Sequence, residues 1–180
     1  MAKPALAAPR GKAGSASDAA AAPRPSLPFE HSVGYQIRET HRVVQRALQA
    51  RIEKEGVSLG MWYFLRVLWE EDGITQRELS RRVGTMEPTT QSALQAMETA
   101  GFLRRVRNAD DKRKLSIHLT PKGRALKLKL LPAGIEVVEL ATAGMSARET
   151  ELLLGLLADV RRNLLRDIAI SEGLDVEDAP

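Results

Sequence analysis

The stretch that decides the fold of this 180-residue chain is ITQRELSRRVGTMEPTTQSALQAMETAGFLRRVRNADDKRKLSIHLTPKG (residues 74–123). Its first part, residues 74–84, has the apolar spacing of a short amphipathic helix that ends at Gly84. A second helix is predicted for residues 86–100, and Gly101 ends it. The short connection between the two predicts a helix-turn-helix.

The charged sequence after the second helix predicts a β-hairpin. Residues 102–107 and 114–120 are strand candidates, and NADD at residues 108–111 is typical of a turn. Two short helices followed by a basic two-stranded ribbon form a winged helix-turn-helix. Its second helix has the shape to enter a DNA major groove, and the ribbon can contact the DNA beside it.

Long amphipathic helices flank this unit on both sides. On the N-terminal side, apolar residues recur every three or four positions over residues 30–55, and Ser58 can cap a second helix over residues 59–71. On the C-terminal side, a helix is predicted from Pro121 to about residue 143, with a kink or a break at Pro132 and Gly134. Further N-caps are Thr120 and Ser146, and the helix after Ser146 is predicted to reach residue 170.

The terminal helices carry more apolar surface than a winged helix of about 65–80 residues needs for its own core. Packing against the same helices of a second subunit would bury that surface. The alternative is packing within one chain. The sequence therefore predicts a mainly α fold: a winged helix-turn-helix with N- and C-terminal helices forming a dimerisation domain.

The positive charge of the chain is concentrated on the predicted DNA-binding unit. Residues 77–129 hold 13 Lys/Arg and 5 Asp/Glu, whereas the net charge of the whole chain is +4. Such a concentration is typical of a polyanion partner, and the alternative is a solvated basic face. The absence of cysteine excludes disulfides, thiol switches and Cys-based metal sites.

Several classes of protein find little support in the chain. The three histidines have no compact metal-ligand spacing, and there is no glycine-rich phosphate loop and no nucleophile–base pattern. We therefore expect no cofactor and no enzymatic activity. No apolar run is long enough to span a membrane, and we expect a cytoplasmic protein.

Residues 111–123, DKRKLSIHLTPKG, resemble the wing motif of the MarR family of transcriptional regulators, which is Asp-x-Arg, five residues, Leu-Thr, two residues and Gly. TQREL (residues 75–79) and ETAGFL (residues 98–103) are similar to the family's helix-turn-helix. The resemblance covers residues 30–170. It implies an obligate homodimer of triangular outline whose two winged lobes bind a pseudo-palindromic operator, and many members are repressors released by small, often phenolic, ligands.

The expected domain organisation follows from these observations. It is a disordered basic arm rich in Ala and Pro at residues 1–28, a MarR-type domain at 29–170 and an acidic tail at 171–180. Within the domain we expect a winged helix at about 57–122 and dimerisation helices at about 30–55 and 121–170.

The candidate DNA contacts lie on the second helix and the ribbon. Side chains of the helix's first turn face the groove, where Gln pairs with adenine and Thr contacts a thymine methyl or a phosphate. Arg113 at the hairpin tip can enter a narrow minor groove, and Asp111 either holds that arginine or braces the turn. The base-contact candidates are Thr89, Thr90, Gln91 and Ser92, and the phosphate-contact candidates are Arg81, Arg82, Arg104, Arg105 and Arg107. The alternative for each arginine is a solvated surface charge.

A ligand site is expected on the first two helices, which the resemblance places between the dimer helices and the DNA lobes. The candidates supply aromatic walls and cationic anchors: Tyr35, Arg38, His41, Arg42, Trp62, Phe64 and Trp69. This chemistry suits a small aromatic acid or its CoA thioester. The alternative is that the aromatic residues are core and the arginines are solvated.

The sequence thus predicts a sequence-specific transcriptional regulator, a repressor released by an aromatic acid or acyl-CoA effector. Two alternatives stay open. One is a ligand-independent architectural DNA-binding protein, and the other is a small enzyme with an accessory winged helix.

Overall fold

A computed structural model of the chain describes residues 26–108 and 111–173. Most of the predicted arm, most of the acidic tail and the centre of the hairpin turn lie outside the described residues. The described residues are mainly helical (72%) and form one two-stranded antiparallel sheet. The elements are α1 Val33–Ile52, α2 Leu59–Glu70, α3 Gln76–Val83, α4 Glu87–Thr99, β1 Leu103–Arg107, β2 Leu115–Leu119, α5 Pro121–Ala141 and α6 Ala147–Ser171.

The predicted helices are present, with shorter ends than expected. The first expected helix, over 30–55, consists of α1 and two 3₁₀ turns, Phe29–His31 and Glu53–Glu55. Gly56 ends it with a φ of 72°, a left-handed conformation that glycine adopts without a steric penalty.

Hydroxyl side chains begin five of the six α-helices of the described residues. Each accepts a hydrogen bond from the backbone N–H three residues on, which satisfies a donor that the helix leaves unpaired. These caps are Ser32, Ser58, Thr75, Thr120 and Ser146. The Ser146 cap also forms a capping box with Glu149. The exception is α4, whose N-cap residue is Met86.

Of the expected kink or break at Pro132, the break does not occur, because α5 runs without interruption through the proline. Leu126 and Leu130 before the proline and Val137 after it are all buried. Burial on both sides favours one continuous helix over the break that an interior proline promotes. Gly134 also allows a close approach, since a Cβ there would lie 2.8 Å from the Trp62 ring.

One core joins the winged unit to α1 and α5. The fully buried side chains include Phe64, Leu65 and Leu68 of α2, Leu79 of α3, Leu94 and Met97 of α4, Phe102 and Ile117 beside and within the sheet, and Leu130 of α5. Leu94 and Met97 of α4 and Leu119 of β2 are core residues, the last at 3% exposure. This core fixes α4 and the hairpin relative to each other.

The hairpin is held in register from both sides. β1 pairs with β2 from Leu103 opposite Leu119 to Arg107 opposite Leu115. The chain before α3 lies along the other edge of β2, where Ile117 N–H donates to the Ile74 carbonyl at 2.9 Å. The wing (β1, β2 and their connection) is therefore anchored directly to the helix-turn-helix.

The helix α6 leaves its apolar side chains uncovered in a single chain. Its exposed large apolar residues are Leu152, Leu153, Leu154, Leu156, Leu157, Leu164, Ile168 and Ile170. Ile135, Val138 and Leu140 of α5 are exposed as well. Exposed large apolar side chains in such number are typical of a protein interface.

Candidate nucleic-acid interface

The turn between α3 and α4 is short and held by its own backbone. Gly84 adopts a φ of 72° and donates its N–H to the Ser80 carbonyl at 3.0 Å. Thr85 N–H donates to the same carbonyl at 3.1 Å, and Ser80 Oγ donates to the Thr85 carbonyl at 2.6 Å. These bonds fix the angle at which α4 leaves α3.

Thr90 lies inside this turn, so its prediction as a base contact is wrong. Its side chain is 0% exposed. Its hydroxyl donates to Ser80 Oγ at 3.0 Å and lies 2.8 Å from Thr85 Oγ1. Ser80, Thr85 and Thr90 form a hydroxyl cluster that holds α4 against α3. Thr90 also precedes Leu94 by four residues and Met97 by seven, which is the spacing of the buried face of α4.

The other three base-contact candidates are exposed on the first two turns of α4. They are Thr89, Gln91 and Ser92. Ser92 Oγ donates to the Pro88 carbonyl at 3.1 Å, which leaves its oxygen able to accept. The structure thus presents two hydroxyls and one amide at the N-terminal end of α4. This is the end at which a recognition helix contacts base edges in the groove.

Two arginines of α3, Arg81 and Arg82, are paired with carboxylates. Arg81 donates to Glu78 through Nε at 3.0 Å and Nη2 at 2.8 Å, and Arg82 Nε donates to Glu78 at 2.7 Å. Arg82 also forms a 2.6 Å ion pair with Glu71. The hydrogen bonds from Arg81 and then Arg82 lower the pKa of Glu78 to about 2. A phosphate that binds Arg81 must therefore compete with Glu78.

The wing presents its arginines in different ways. Arg113 is 92% exposed at its side chain, and its Nε lies 3.2 Å from an Asp111 oxygen. That hydrogen bond lowers the pKa of the Asp111 carboxyl. Asp111 N–H in turn donates to Asn108 Oδ1 at 3.0 Å. Asp111 thus has both of its expected roles, since it holds the arginine and braces the turn.

Arg105 differs from the other candidate phosphate contacts. Its side chain is only 18% exposed and forms a 2.6 Å ion pair with Glu98 at the end of α4. It ties β1 to α4, so its prediction as a phosphate contact is wrong. Arg104 is exposed, and Arg107 is exposed with its Nη1 donating to the Lys112 carbonyl at 3.2 Å.

An open cleft of about 800 Å³ lies between α3, the start of α4 and the wing. We call it the α3–wing cleft. Its lining includes four cationic side chains, Arg77, Arg81, Arg113 and Lys114, and two carboxylates, Glu78 and Glu87. The excess of positive charge suits a polyanion. Sequence reasoning missed Arg77, Lys114 and the exposed Met86 in this lining.

The structure places the expected ligand residues in different environments. Phe64 is 2% exposed and belongs to the core, so its prediction as a ligand wall is wrong. Tyr35 stacks on Phe29 with ring centroids 4.7 Å apart. Arg38, His41 and Arg42 are exposed on α1, and Arg42 pairs with Glu39.

The two tryptophans are close together and join α2 to α5. Their rings meet edge to face at 5.9 Å, and Trp69 Nε1 donates to the Gly123 carbonyl at 3.0 Å. The guanidinium of Arg66 lies 5.6 Å from the Trp62 ring centroid. Arg66 is exposed and is a cation beside the aromatic pair that sequence reasoning missed. Spacing on α2 could have found it, because Arg66 lies four residues after Trp62.

Residues 26–108 and 111–173 contain no group of three or more His, Asp or Glu that could hold a metal ion. None of the helices in these residues is long and apolar enough to cross a membrane.

The fold and this surface define a winged helix-turn-helix DNA-binding protein. The profile of the MarR family matches residues 57–115. The transcriptional regulator HosA of Escherichia coli is 31% identical over 93 residues, which cover 52% of this chain and 69% of HosA. The chain belongs to the MarR family and is a transcriptional regulator.

Other relatives agree with this assignment. The HTH-type transcriptional regulator TtmR of Methylorubrum extorquens is 34% identical over 121 residues, which are 66% of this chain but only 60% of TtmR. A MarR regulator from Methanosarcina mazei has a TM-score of 0.68 at 28% identity, covering 74% of this chain and 96% of that one. These relatives are named as regulators, and dimerisation is typical of the family.

Two more distant structures share the fold alone. A putative MarR regulator from Listeria monocytogenes has a TM-score of 0.71 at 19% identity, covering 80% of this chain and 97% of that one. BpsR of Bordetella bronchiseptica has a TM-score of 0.70 at 18% identity, covering 76% and 98% of the two chains.

Proposed function

We propose that this MarR-family regulator is a homodimeric repressor that binds a pseudo-palindromic operator through α4 and the wing. The observation that carries the proposal is the α3–wing cleft, a concave and positively charged surface beside the exposed first turns of α4. Arg113 extends from the wing with 92% of its side chain exposed. In support, the Listeria monocytogenes structure of the same fold is complexed with a 26mer DNA.

The proposed division of labour follows the two parts of the structure. The winged unit, about residues 57–122, binds DNA, and the helices at about 30–55 and 121–170 form the dimer. The uncovered apolar side chains of α5 and α6 support this division. Sedimentation equilibrium at micromolar protein should give about 40 kDa, twice the 19.8 kDa of one chain. A mass of one chain under these conditions would exclude the proposed dimer.

Selection of binding sites from random duplex DNA tests the DNA-binding proposal. We expect a two-fold sequence with half-sites about one helical turn apart, to match two symmetric lobes. If the dimer neutralises roughly 6–10 phosphates, affinity should fall by about 10³–10⁵ between 50 and 200 mM salt. Equal affinity for the selected and a scrambled duplex would contradict specific binding and favour an architectural DNA-binding protein.

The wing contact is tested by Arg113→Ala on the selected duplex. The change should weaken binding by about 1–3 kcal/mol if the guanidinium makes a groove contact. Lys54→Ala is the matched control, because it removes one exposed positive charge from the turn after α1. Equal losses in the two variants would show that only net charge matters.

The second part of the proposal is release by an aromatic acid or its CoA thioester. The supporting observation is the Trp62–Trp69 pair with Arg66 beside it, on the helix that joins the winged core to α5. BpsR, a protein of the same fold, has its DNA binding regulated by 6-hydroxynicotinic acid. A ligand here acts only if it favours one arrangement of the lobes over another. A hundredfold loss of DNA affinity needs about 2.7 kcal/mol of coupling, within the usual range.

Titration of the protein–operator complex with salicylate, benzoate and benzoyl-CoA tests this part, with tryptophan fluorescence as a second readout of binding. Arg38→Ala and Arg66→Ala distinguish the two candidate anchors on α1 and α2. Release that is lost in only one variant identifies the anchor. If none of the three probes shifts the operator complex, the aromatic effector proposal fails while the DNA-binding proposal stands.

A further inference from the structure

We infer that Met86 determines part of the DNA specificity, its side chain contacting the 5-methyl group of a thymine in the operator's major groove. This inference rests on the proposed function and adds to it a residue outside the polar contacts predicted from the sequence. It follows from the exposure of Met86, its position and the charge around it.

The exposure of Met86 is unusual for an apolar side chain in the winged unit. Met86 is 76% exposed, whereas the other exposed large apolar side chains of residues 57–107 and 115–119 are Tyr63, Val106 and Leu115, at 36–39%. The exposure of an apolar group to water is unfavourable in free energy. Binding a partner with a matching apolar group would remove that unfavourable contact.

Met86 also occupies a position at which a polar side chain would stabilise α4 better. It is the N-cap residue of α4 and makes no side-chain cap hydrogen bond, whereas Ser or Thr caps the other five α-helices of the described residues. Serine or threonine at an N-cap stabilises a helix by accepting from a free N–H. A methionine at this position therefore contributes little to the fold.

The surroundings of Met86 point to DNA as the occupant. Met86 lines the α3–wing cleft together with Arg77, Arg113 and Lys114. It precedes the exposed contact candidates Thr89 and Gln91 by three and five residues, at the same end of α4. A polyanion suits the cationic walls, and the thymine methyl is the apolar group that DNA presents in its major groove. The flexible thioether of methionine adapts to such a small apolar target.

Single replacements of thymine by deoxyuridine test the contact, because each removes one methyl group and nothing else. They are made in the duplex selected by the wild-type protein, and binding is measured by fluorescence anisotropy. In the wild type, one thymine per half-site should lose about three- to fivefold in affinity when its methyl is removed, the effect of burying about one methylene-sized group. In Met86→Ala the same replacement should change the affinity less than 1.5-fold, which is roughly a third of the free-energy change expected for the wild type.

Three further variants separate a DNA contact from a structural role. Met86→Leu should keep the methyl dependence, since it keeps apolar bulk. Met86→Ser should lose it while raising the thermal stability of the protein, because serine supplies the missing cap. Leu115→Ala removes another apolar side chain of the same cleft and should leave the dependence on that thymine intact.

The outcomes distinguish a failure of the Met86 contact from a failure of the proposed function. If the selection returns a preferred duplex but every deoxyuridine replacement affects wild type and Met86→Ala equally, the Met86 contact is wrong and specific DNA binding stands. If the selection returns no preferred sequence, the proposed function fails and the Met86 contact fails with it.

Discussion

Two adjacent threonines at the start of α4 have opposite environments. Thr89 is exposed, whereas Thr90 is fully buried and bonded to Ser80 and Thr85. The difference follows from the pitch of the helix, since neighbouring residues point about 100° apart. One threonine is thus available to DNA, and the other holds the turn.

Thr90→Val should lower the free energy of unfolding by about 1–3 kcal/mol, because the valine keeps the shape and leaves the Ser80 and Thr85 hydroxyls with one partner fewer. Thr89→Val is the matched variant and should change stability by less than about 0.5 kcal/mol while weakening operator binding. Urea unfolding and anisotropy on the same preparations measure both. Similar stability losses in the two variants would contradict the hydroxyl cluster.

Glu78 shows how an acidic residue shapes a basic surface. Its carboxylate pairs with both Arg81 and Arg82, whose hydrogen bonds lower its pKa from 4.5 to about 2. A carboxyl with a lowered folded pKa contributes stability that is present above its unfolded pKa. That contribution is lost as the pH falls through the folded value.

The stability difference between the wild type and Glu78→Gln should therefore be constant above about pH 5 and shrink as the pH falls from about 4.5 towards 2. Urea unfolding across this range measures it, and a carboxyl-carbon NMR titration of Glu78 gives its pKa directly. The α2 variant Glu70→Gln controls for the loss of one negative charge. A Glu78 midpoint near 4.5 would show that the ion pairs do not persist in solution.

At the scale of the elements, close backbone packing fixes α5 against the wing. A Cβ on Gly123 would lie 2.0 Å from the Phe102 carbonyl oxygen, a distance that no side chain movement relieves. Thr120 Oγ1 donates to the Gly101 carbonyl at 2.7 Å, and Arg124 bonds both the Leu119 carbonyl and Asp72. The helix that leads to the proposed dimer interface is thus rigidly attached to the hairpin.

Gly123→Ala should destabilise the protein by about 3 kcal/mol or more, because the added methyl forces the backbone of α5 away from β1. Gly60→Ala is the control, since the nearest atom to its Cβ is 3.9 Å away and alanine favours the helix by roughly 0.5–1 kcal/mol. Thermal unfolding of both variants measures the difference in their stabilities. A Gly123→Ala protein as stable as the wild type would contradict the close approach.

The sequence predicted the elements well because their ends depend on neighbouring residues. Ser58, Thr120 and Ser146 cap the helices that they were expected to cap, and the wing motif lies on the predicted hairpin. The sequence left open whether α5 kinks or breaks at Pro132, because the continuity of the helix depends on burial supplied by other helices.

The candidate site was predicted less well, because exposure depends on tertiary contacts. Residues 89–92 are all polar, so composition alone did not show which of them faces α3. The ion pair that removes Arg105 from the surface joins β1 to α4, and the burial of Phe64 depends on the whole core. Met86 escaped notice because an isolated methionine resembles a core residue.

At the scale of the whole molecule, the structure has one surface suited to DNA and another suited to a second copy of the chain. The cleft beside α4 carries the cationic side chains, and α5 and α6 carry the uncovered apolar ones. In the proposed symmetric dimer, these helices would place two α4 helices on one duplex, so that both lobes bind the same DNA.

Hydroxyl-radical footprinting of the protein on its selected duplex shows whether both lobes bind the same DNA. A dimer bound through both lobes should protect two regions related by two-fold symmetry, with their centres about one helical turn apart. Arg113→Ala should restore cleavage next to each half-site while protection under α4 remains. A single unpaired region, or uniform protection without sequence preference, would exclude binding through two symmetric lobes.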